Sequence, residues 1–199
     1  MTKEFLTAVK DRRSYYAISK ETTVADERLG ELIEHAVKHT PSPFNCQSAR
    51  VVLLLGGQHD RLWDLTEEAL RKLVPADKFA PTAEKLASFR SGYGTVLFFE
   101  DQAVVRGLQQ QFPLYADNFP LWSLQSSGMH QHVVWTALEI EGLGASLQHY
   151  NPLIDDAVRQ QWAIPEDWKL LAEMPFGKPT AQPGPKEFKP LAERFKVFK

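Results

Sequence analysis

One cysteine, Cys46, stands in a sequence of 199 residues. It cannot form an internal disulfide, and no Cys/His spacing of the zinc-ribbon or zinc-finger kind exists, so a reducing compartment, the cytosol, fits this usage. Neither sign of charge is in real excess: 23 Lys and Arg against 25 Asp and Glu leave a formal net charge of -2. Nothing global therefore draws the chain to nucleic acid or an anionic membrane, and any basic site must be local. Long apolar runs are missing too. Residues 51–55 and 96–99 are the longest, far too short to cross a bilayer as helix. The opening residues 1–13 interleave Lys3, Glu4, Lys10, Asp11, Arg12 and Arg13 and lack the apolar stretch of a secretory signal. The expectation is a soluble cytoplasmic protein with no nucleic-acid or membrane partner.

Several chemistries are missing as well. No phosphate-binding glycine loop of the Rossmann or Walker kind is present. Ser126-Ser127-Gly128 lacks the preceding strand and the flanking glycines of a nucleophile elbow. His35 and His39 lie one helical turn apart but have neither an HExxH pattern nor a third ligand, and His130 and His132 point to different sides of a helix, so no metal is expected. Cys46 is given no role, since small buried cysteines are usually packing residues.

What is there is an ordinary globular composition that suits one domain over residues 1–199. Phe5, Leu6 and Val9 predict a short helix; Leu29, Leu32, Ile33, Ala36 and Val37 predict a longer one that Pro41 and Pro43 end. Residues 50–55, closed by Gly56-Gly57, read as a strand buried on both faces, and residues 95–99 as a second. Helices are expected around Leu62 to Leu73, around Leu86 and Phe89, and from Leu121 to Glu141, the last apolar on more than one stripe and stopped by Gly142-Leu143-Gly144. Residues 145–149 and 169–174 read as strands with a helix over 152–162 between them. Five prolines and two glycines in residues 175–190 predict an extended arm, and Phe195, Val197 and Phe198 a terminal edge strand on some sheet. Helices alternating with strands imply a sheet covered by helices.

Two constellations stand out. Arg12-Arg13-Ser14 combines two guanidiniums and a hydroxyl at a helix end, a donor cluster suited to a phosphate monoester and equally an ordinary complement to the helix dipole. Ser42-Pro43-Phe44-Asn45-Cys46-Gln47-Ser48-Ala49-Arg50 packs amides and hydroxyls between a helix and a strand. Asn45 and Gln47 offer both donor and acceptor, matching the polar edge of a flavin or pyrimidine ring, or satisfying a local turn.

These two motifs, with Gly142-Leu143-Gly144-Ala145-Ser146-Leu147-Gln148-His149-Tyr150-Asn151-Pro152, resemble the nitroreductase family. Phe112-Pro113-Leu114-Tyr115 and Trp122-Ser123-Leu124-Gln125-Ser126-Ser127-Gly128-Met129 are similar to its branch named for fatty-acid-repression mutants. The resemblance implies an α+β three-layer fold with a mixed central sheet, a homodimer built on the long central helix, and FMN at the subunit boundary. It implies that Arg12 and Ser14, with Arg13, hold the phosphate and ribityl chain, while Asn45 and Gln47 approach from the other subunit. Leu147 and Gln148 then lie along the ring, one giving a backbone N–H near N5. Lys186 or Arg194, in an arm over residues 175–199 exchanged between subunits, completes the phosphate site. Phe112, Tyr115, Phe119 and Trp122 border the acceptor pocket or pack the core. Tyr16 occupies a position where many members carry Lys or Arg, so the usual cation near the flavin's N1 and O2 is replaced.

The activity implied is hydride transfer from NADH or NADPH to nitroaromatic, quinone or similar electron-poor acceptors, by a ping-pong scheme in which the cofactor, not a protein acid or nucleophile, is the reactive centre. Two alternatives remain: an FMN-binding regulatory or sensing protein in lipid or stress signalling, and a ligand-binding domain without flavin in which the arginine pair is structural.

Overall fold

The apolar stretch that begins at Gly94 becomes the middle of the protein. A computed structural model describes residues 3–199. In order, the chain forms α1 (Phe5–Asp11), β1 (Ile18–Ser19), α2 (Asp26–His39), β2 (Ala49–Leu55), α3 (Gly57–Arg71), α4 (Ala80–Arg90), β3 (Gly94–Asp101), α5 (Gln102–Gln111), α6 (Phe119–Ile140), β4 (Gly144–Ala145), α7 (Asp155–Trp162) and β5 (Trp168–Pro179). Short 3-10 turns at Pro43–Asn45, Pro113–Tyr115 and Leu191–Glu193 punctuate the loops and the tail.

The strands lie in the order β1-β5-β3-β2, with β4 also on β5. Their ladders are all antiparallel. Among the described residues, the sheet expected to be mixed is thus parallel only at an isolated bridge between Ser14 and Ala145. Successive residues of β3 feed opposite layers, as strand alternation requires. Val96 and Phe98 pack with Leu29, Ile33 and Ala36 of α2 and Val134 and Leu138 of α6. Leu97 and Phe99 pack with Leu62 and Trp63 of α3, Leu86 and Phe89 of α4, and Val158 of α7. A bulge then shifts the β3–β5 register from Phe98 opposite Ala172 to Phe99 opposite Leu170. It sends Ala172 and Leu170, two residues apart, into different layers, where a regular strand keeps such a pair on one face.

Four features differ from the sequence reading. β2 is an edge strand, and Arg50 to Leu53 are only half-buried; an apolar run records covered faces, not a neighbour on each side. β5 runs on through Pro175 to Pro179, so the arm starts at Thr180. Pro175 is tolerated because its carbonyl still accepts the Ser146 N–H at 3.2 Å. The strand at 145–149 shrinks to β4 plus a single bridge between Gln148 and Glu173. Residues 195–199 form no strand within the chain, and Phe195, Val197 and Phe198 are exposed.

The α6 stop is as expected. Gly142 adopts φ of 80°, and the N–H groups of Gly142 and Leu143 return to the carbonyls of Glu139 and Leu138, closing the helix in the left-handed cap that glycine allows. Gly177 serves a different need. A Cβ there meets the Ser19 carbonyl oxygen at 2.2 Å and the Tyr93 nitrogen at 3.0 Å, both backbone atoms with no rotamer to yield. Gly177→Ala is expected to part β1 from β5 and cost about 1–3 kcal/mol, read as a lower urea midpoint at unchanged slope.

Candidate functional site

Arg12 follows the last turn of α1, its N–H closing onto the Ala8 carbonyl at 2.8 Å. The guanidinium lies over the Trp135 ring of α6 at 4.3 Å, and its Nε is buried without a hydrogen-bond partner. Burial, then the neighbouring charge of Arg13, push its pKa down against the weaker pull of Glu139. Glu139 is itself engaged by Lys3 at 2.7 Å. Arg12 is therefore a half-buried cation with one unfilled donor, an arrangement that favours an added anion.

The next residues cross to the sheet. Ser14 bridges Ala145, and the Tyr15 N–H donates to the Ala145 carbonyl at 2.9 Å. Gly144 makes this approach possible, since a Cβ there meets Tyr15 Cγ at 2.7 Å. The start of the arm closes the other side: Arg13 Nη2 donates to the Gly184 carbonyl at 2.8 Å, and the Tyr15 hydroxyl to Gln182 Oε1 at 3.2 Å. Between them lies an open cleft of about 380 Å³ lined by Arg13, Ser14, Tyr16, Gln182, Gly184 and Pro185. Tyr16 is 51% exposed there, with its ring 6.1 Å from that of Phe89.

Two residues beyond Ala145, Leu147 packs partly against the α2–α6 layer. Gln148 is buried, pinned by paired backbone hydrogen bonds to Glu173 of 2.7 and 3.0 Å, with its Nε2 on Ser146 Oγ at 3.0 Å. The chain thus brings Ser14 and Tyr15 against Ala145 of β4, with Arg12 stacked on α6 beside them and Gln148 further along, on the middle of β5.

The amide loop forms a second assembly. Phe44, Asn45 and Gln47 all take positive φ, between 50° and 55°, each a conformation costing a non-glycine residue on the order of 1 kcal/mol. Neighbours hold it: the Gln47 N–H donates to Ser42 Oγ at 2.9 Å, Arg50 Nη1 to the Gln47 carbonyl at 2.7 Å, and Ser126 Oγ of α6 to the Pro41 carbonyl at 2.8 Å. Ser48 Oγ donates to the buried Glu100 at 2.5 Å. Burial raises that carboxyl to about 7, against the opposing pull of Ser48 and Arg50.

The Phe44 ring stands 4.7 Å from Phe112, 5.6 Å from Phe119 and 6.3 Å from Tyr115, and Trp122 meets Phe119 edge-on at 5.3 Å. Three of the four aromatics proposed from the sequence meet Phe44, and Trp122 joins them through Tyr115 and Phe119. Asn45 and Gln47 make no hydrogen bond to the first assembly among the described residues.

The profile of the nitroreductase family matches residues 9–178. The chain belongs to the nitroreductase family. Nitroreductase FRM2 of Saccharomyces cerevisiae is 35% identical over 193 residues, 94% of each chain, in keeping with the fatty-acid-repression branch. Nitroreductase CinD from Lactococcus lactis, solved in complex with chloramphenicol, superposes with a TM-score of 0.90 at 46% identity, covering 98% of this chain and 100% of its own. A putative nitroreductase in complex with FMN from Desulfovibrio desulfuricans, 21% identical, shares the fold at a TM-score of 0.70 over the full length of both chains. Membership gives the chain an oxidoreductase role.

In this nitroreductase the tail cations stand apart from Arg12. Lys186 follows Pro185 at the cleft but turns its ammonium over Phe188 at 5.3 Å, and Arg194 ends the Leu191–Glu193 turn on the exposed tail. Sequence reasoning missed Phe44, Tyr15 and Gln182, and the buried Glu100 and Glu173. A carboxylate inside an apolar strand, as in Phe98-Phe99-Glu100 and Ala172-Glu173-Met174, was the signal available. Among the described residues, no helix is long and apolar enough to cross a membrane.

Proposed function

We propose that residues 1–199 act as one FMN-binding domain, paired with a second copy, that passes hydride from NADH or NADPH to nitroaromatic, quinone or similar acceptors in the cytoplasm. The observation that carries this reading is the meeting of Arg12-Arg13-Ser14 with Ala145 to Gln148, through the Ser14 bridge and the Tyr15–Ala145 hydrogen bond. A phosphate monoester fits there, because Arg12 brings a buried donor without a partner and Ser14 an exposed hydroxyl. Arg12, Arg13 and Ser14 hold phosphate and ribityl oxygens, Leu147 and Gln148 line the ring, and Lys186 or Arg194 adds charge from the arm. When bound, FMN supplies the redox centre that accepts and returns the electron pair. The protein orients both substrates in turn on one face, which gives ping-pong kinetics.

Asn45 and Gln47 serve the site of a second copy. Dimerisation is supported by the outer face of α6, where Leu121, Leu124, Met129 and Val133 are exposed on one broad face with Gln125, Gly128 and His132 between them. Such a face on a 22-residue helix is characteristic of association. The arm is exchanged. The open edge of β2 flanks a groove of about 660 Å³ lined by Ile33, Val37, Val51 and Leu53, with Glu34 and Arg50 at its rim. The apolar, basic residues 195–199 of a second copy suit it as an added strand. Phe44, Phe112, Tyr115, Phe119 and Trp122 border the acceptor, and planar electron-poor rings stack on such a cluster.

The visible spectrum tests the reading. Purified protein is expected to show flavin absorption that bleaches on anaerobic addition of NADH or NADPH and returns with a nitroaromatic or quinone. Colourless protein that ignores added FMN, or flavin peaks that persist with both nicotinamides, contradicts it.

A further inference from the structure

Phe44, Asn45 and Gln47 hold φ of 55°, 50° and 53°, a region that glycine enters freely and other residues enter only when their surroundings hold them there. Asn45 and Gln47 gain little from packing, since both are exposed, and the bond from Gln47 Nε2 to the Asn45 carbonyl is long at 3.4 Å. The chain thus places amide side chains where glycine is the unstrained choice, and their backbone is held from outside.

Gln47 is gripped on both sides of its Cα by side chains. Its N–H donates to Ser42 Oγ at 2.9 Å, and its carbonyl accepts from Arg50 Nη1 at 2.7 Å. The same Nη1 donates to the Ala49 carbonyl at 2.9 Å. The other arm of the fork, Nη2, donates to Asp101 Oδ2 at 3.0 Å, while Asp101 Oδ1 accepts the Ala103 N–H at 2.9 Å in the first turn of α5. The guanidinium lies 5.6 Å from the centre of the Trp168 ring, where β5 begins. Arg50 thus ties the amide loop to β2, to the end of β3 and to α5 at once, which its rigid fork of donors permits and a lysine ammonium does not.

We propose that Arg50 is a positioning residue for the flavin of a second copy: it keeps Gln47 in its left-handed conformation, so that the side-chain amide meets the ring already oriented. This rests on the FMN reading of the site, in which Gln47 serves the other copy. Without the clamp Gln47 relaxes out of the strained region, and the loop must be ordered afresh each time a flavin binds.

The test is a fluorescence titration of flavin-stripped protein with FMN and with riboflavin, in wild type, Arg50→Met, Gln47→Ala and the double variant. Arg50→Met is expected to weaken both flavins by the same factor, about five- to tenfold, the effect of one lost hydrogen bond. The ring is common to both flavins, whereas only FMN carries the phosphate that Arg12 and Ser14 hold. In the Gln47→Ala background the same substitution should add less than about twofold, because residues that act through one another do not add. A general loosening of the fold, or weaker pairing at the β2 edge, lowers affinity equally with and without the Gln47 side chain. Where Arg50→Met does not fold, Arg50→Lys, which keeps the charge beside Asp101, is read in the same way. Wild-type affinity in the folded Arg50 variant, a loss confined to FMN, or equal losses with and without the Gln47 side chain overturns the proposal. Wild type that binds neither flavin overturns the FMN reading itself, a separate result.

Discussion

Arg12→Ala combined with Ser14→Ala is expected to weaken FMN binding by about two to three orders of magnitude. A charge-assisted hydrogen bond to phosphate contributes about 1.5–3 kcal/mol and a hydroxyl about 1, and each 1.4 kcal/mol is a factor of about ten. Arg12 is the larger part because its guanidinium is half-buried against Trp135 with Nε unfilled, so part of its desolvation is already met before a phosphate arrives. Riboflavin should lose much less, since it has no phosphate for Arg12 to hold. The double variant should still fold, because neither side chain makes a hydrogen bond within the chain among the described residues. Equal FMN content in wild type and variant removes both residues from the site.

Met129→Asp should have the second large effect, on assembly. Met129 is 41% exposed on a helix whose inner side is filled by Ser126, His130 and Val134, so aspartate there faces solvent in an isolated chain and costs it little. In a dimer packed through α6 the same aspartate is buried opposite apolar surface, at about 3–5 kcal/mol for an uncompensated charge. The dimer constant should weaken by at least about 150- to 4,000-fold, since each copy buries one such charge, and on the proposed reading FMN should be lost with it. Sedimentation shows this directly. A variant that sediments as wild type with its flavin intact places the interface elsewhere.

The parts of this fold legible in the sequence were those written locally. The unbroken apolar residues of β3 need cover on both faces and receive it. α6 carries apolar residues on several sides and ends where Gly142 permits a left-handed cap. Other features depend on partners distant in sequence. Nothing in Val51 to Leu55 says that β2 lacks a neighbour on one side. Pro175 reads as a strand breaker until Ser146 is seen to bond its carbonyl.

The site divides in the same way. Arg12-Arg13-Ser14 and the Leu147-Gln148 segment were recognisable as motifs, and the folded chain brings them together. Phe44 was hidden by its polar loop, although it is the ring on which the aromatic segment converges. Glu173 stands between Ala172 and Met174, and that a carboxylate sits inside an apolar strand was visible; that helices cover its side and bury it was not.

That two copies jointly hold FMN is tested most directly by native mass spectrometry of freshly purified protein. The expected species is a pair of chains carrying two FMN molecules, which releases flavin as it dissociates. A single chain with no flavin mass, unchanged after incubation with excess FMN, contradicts it.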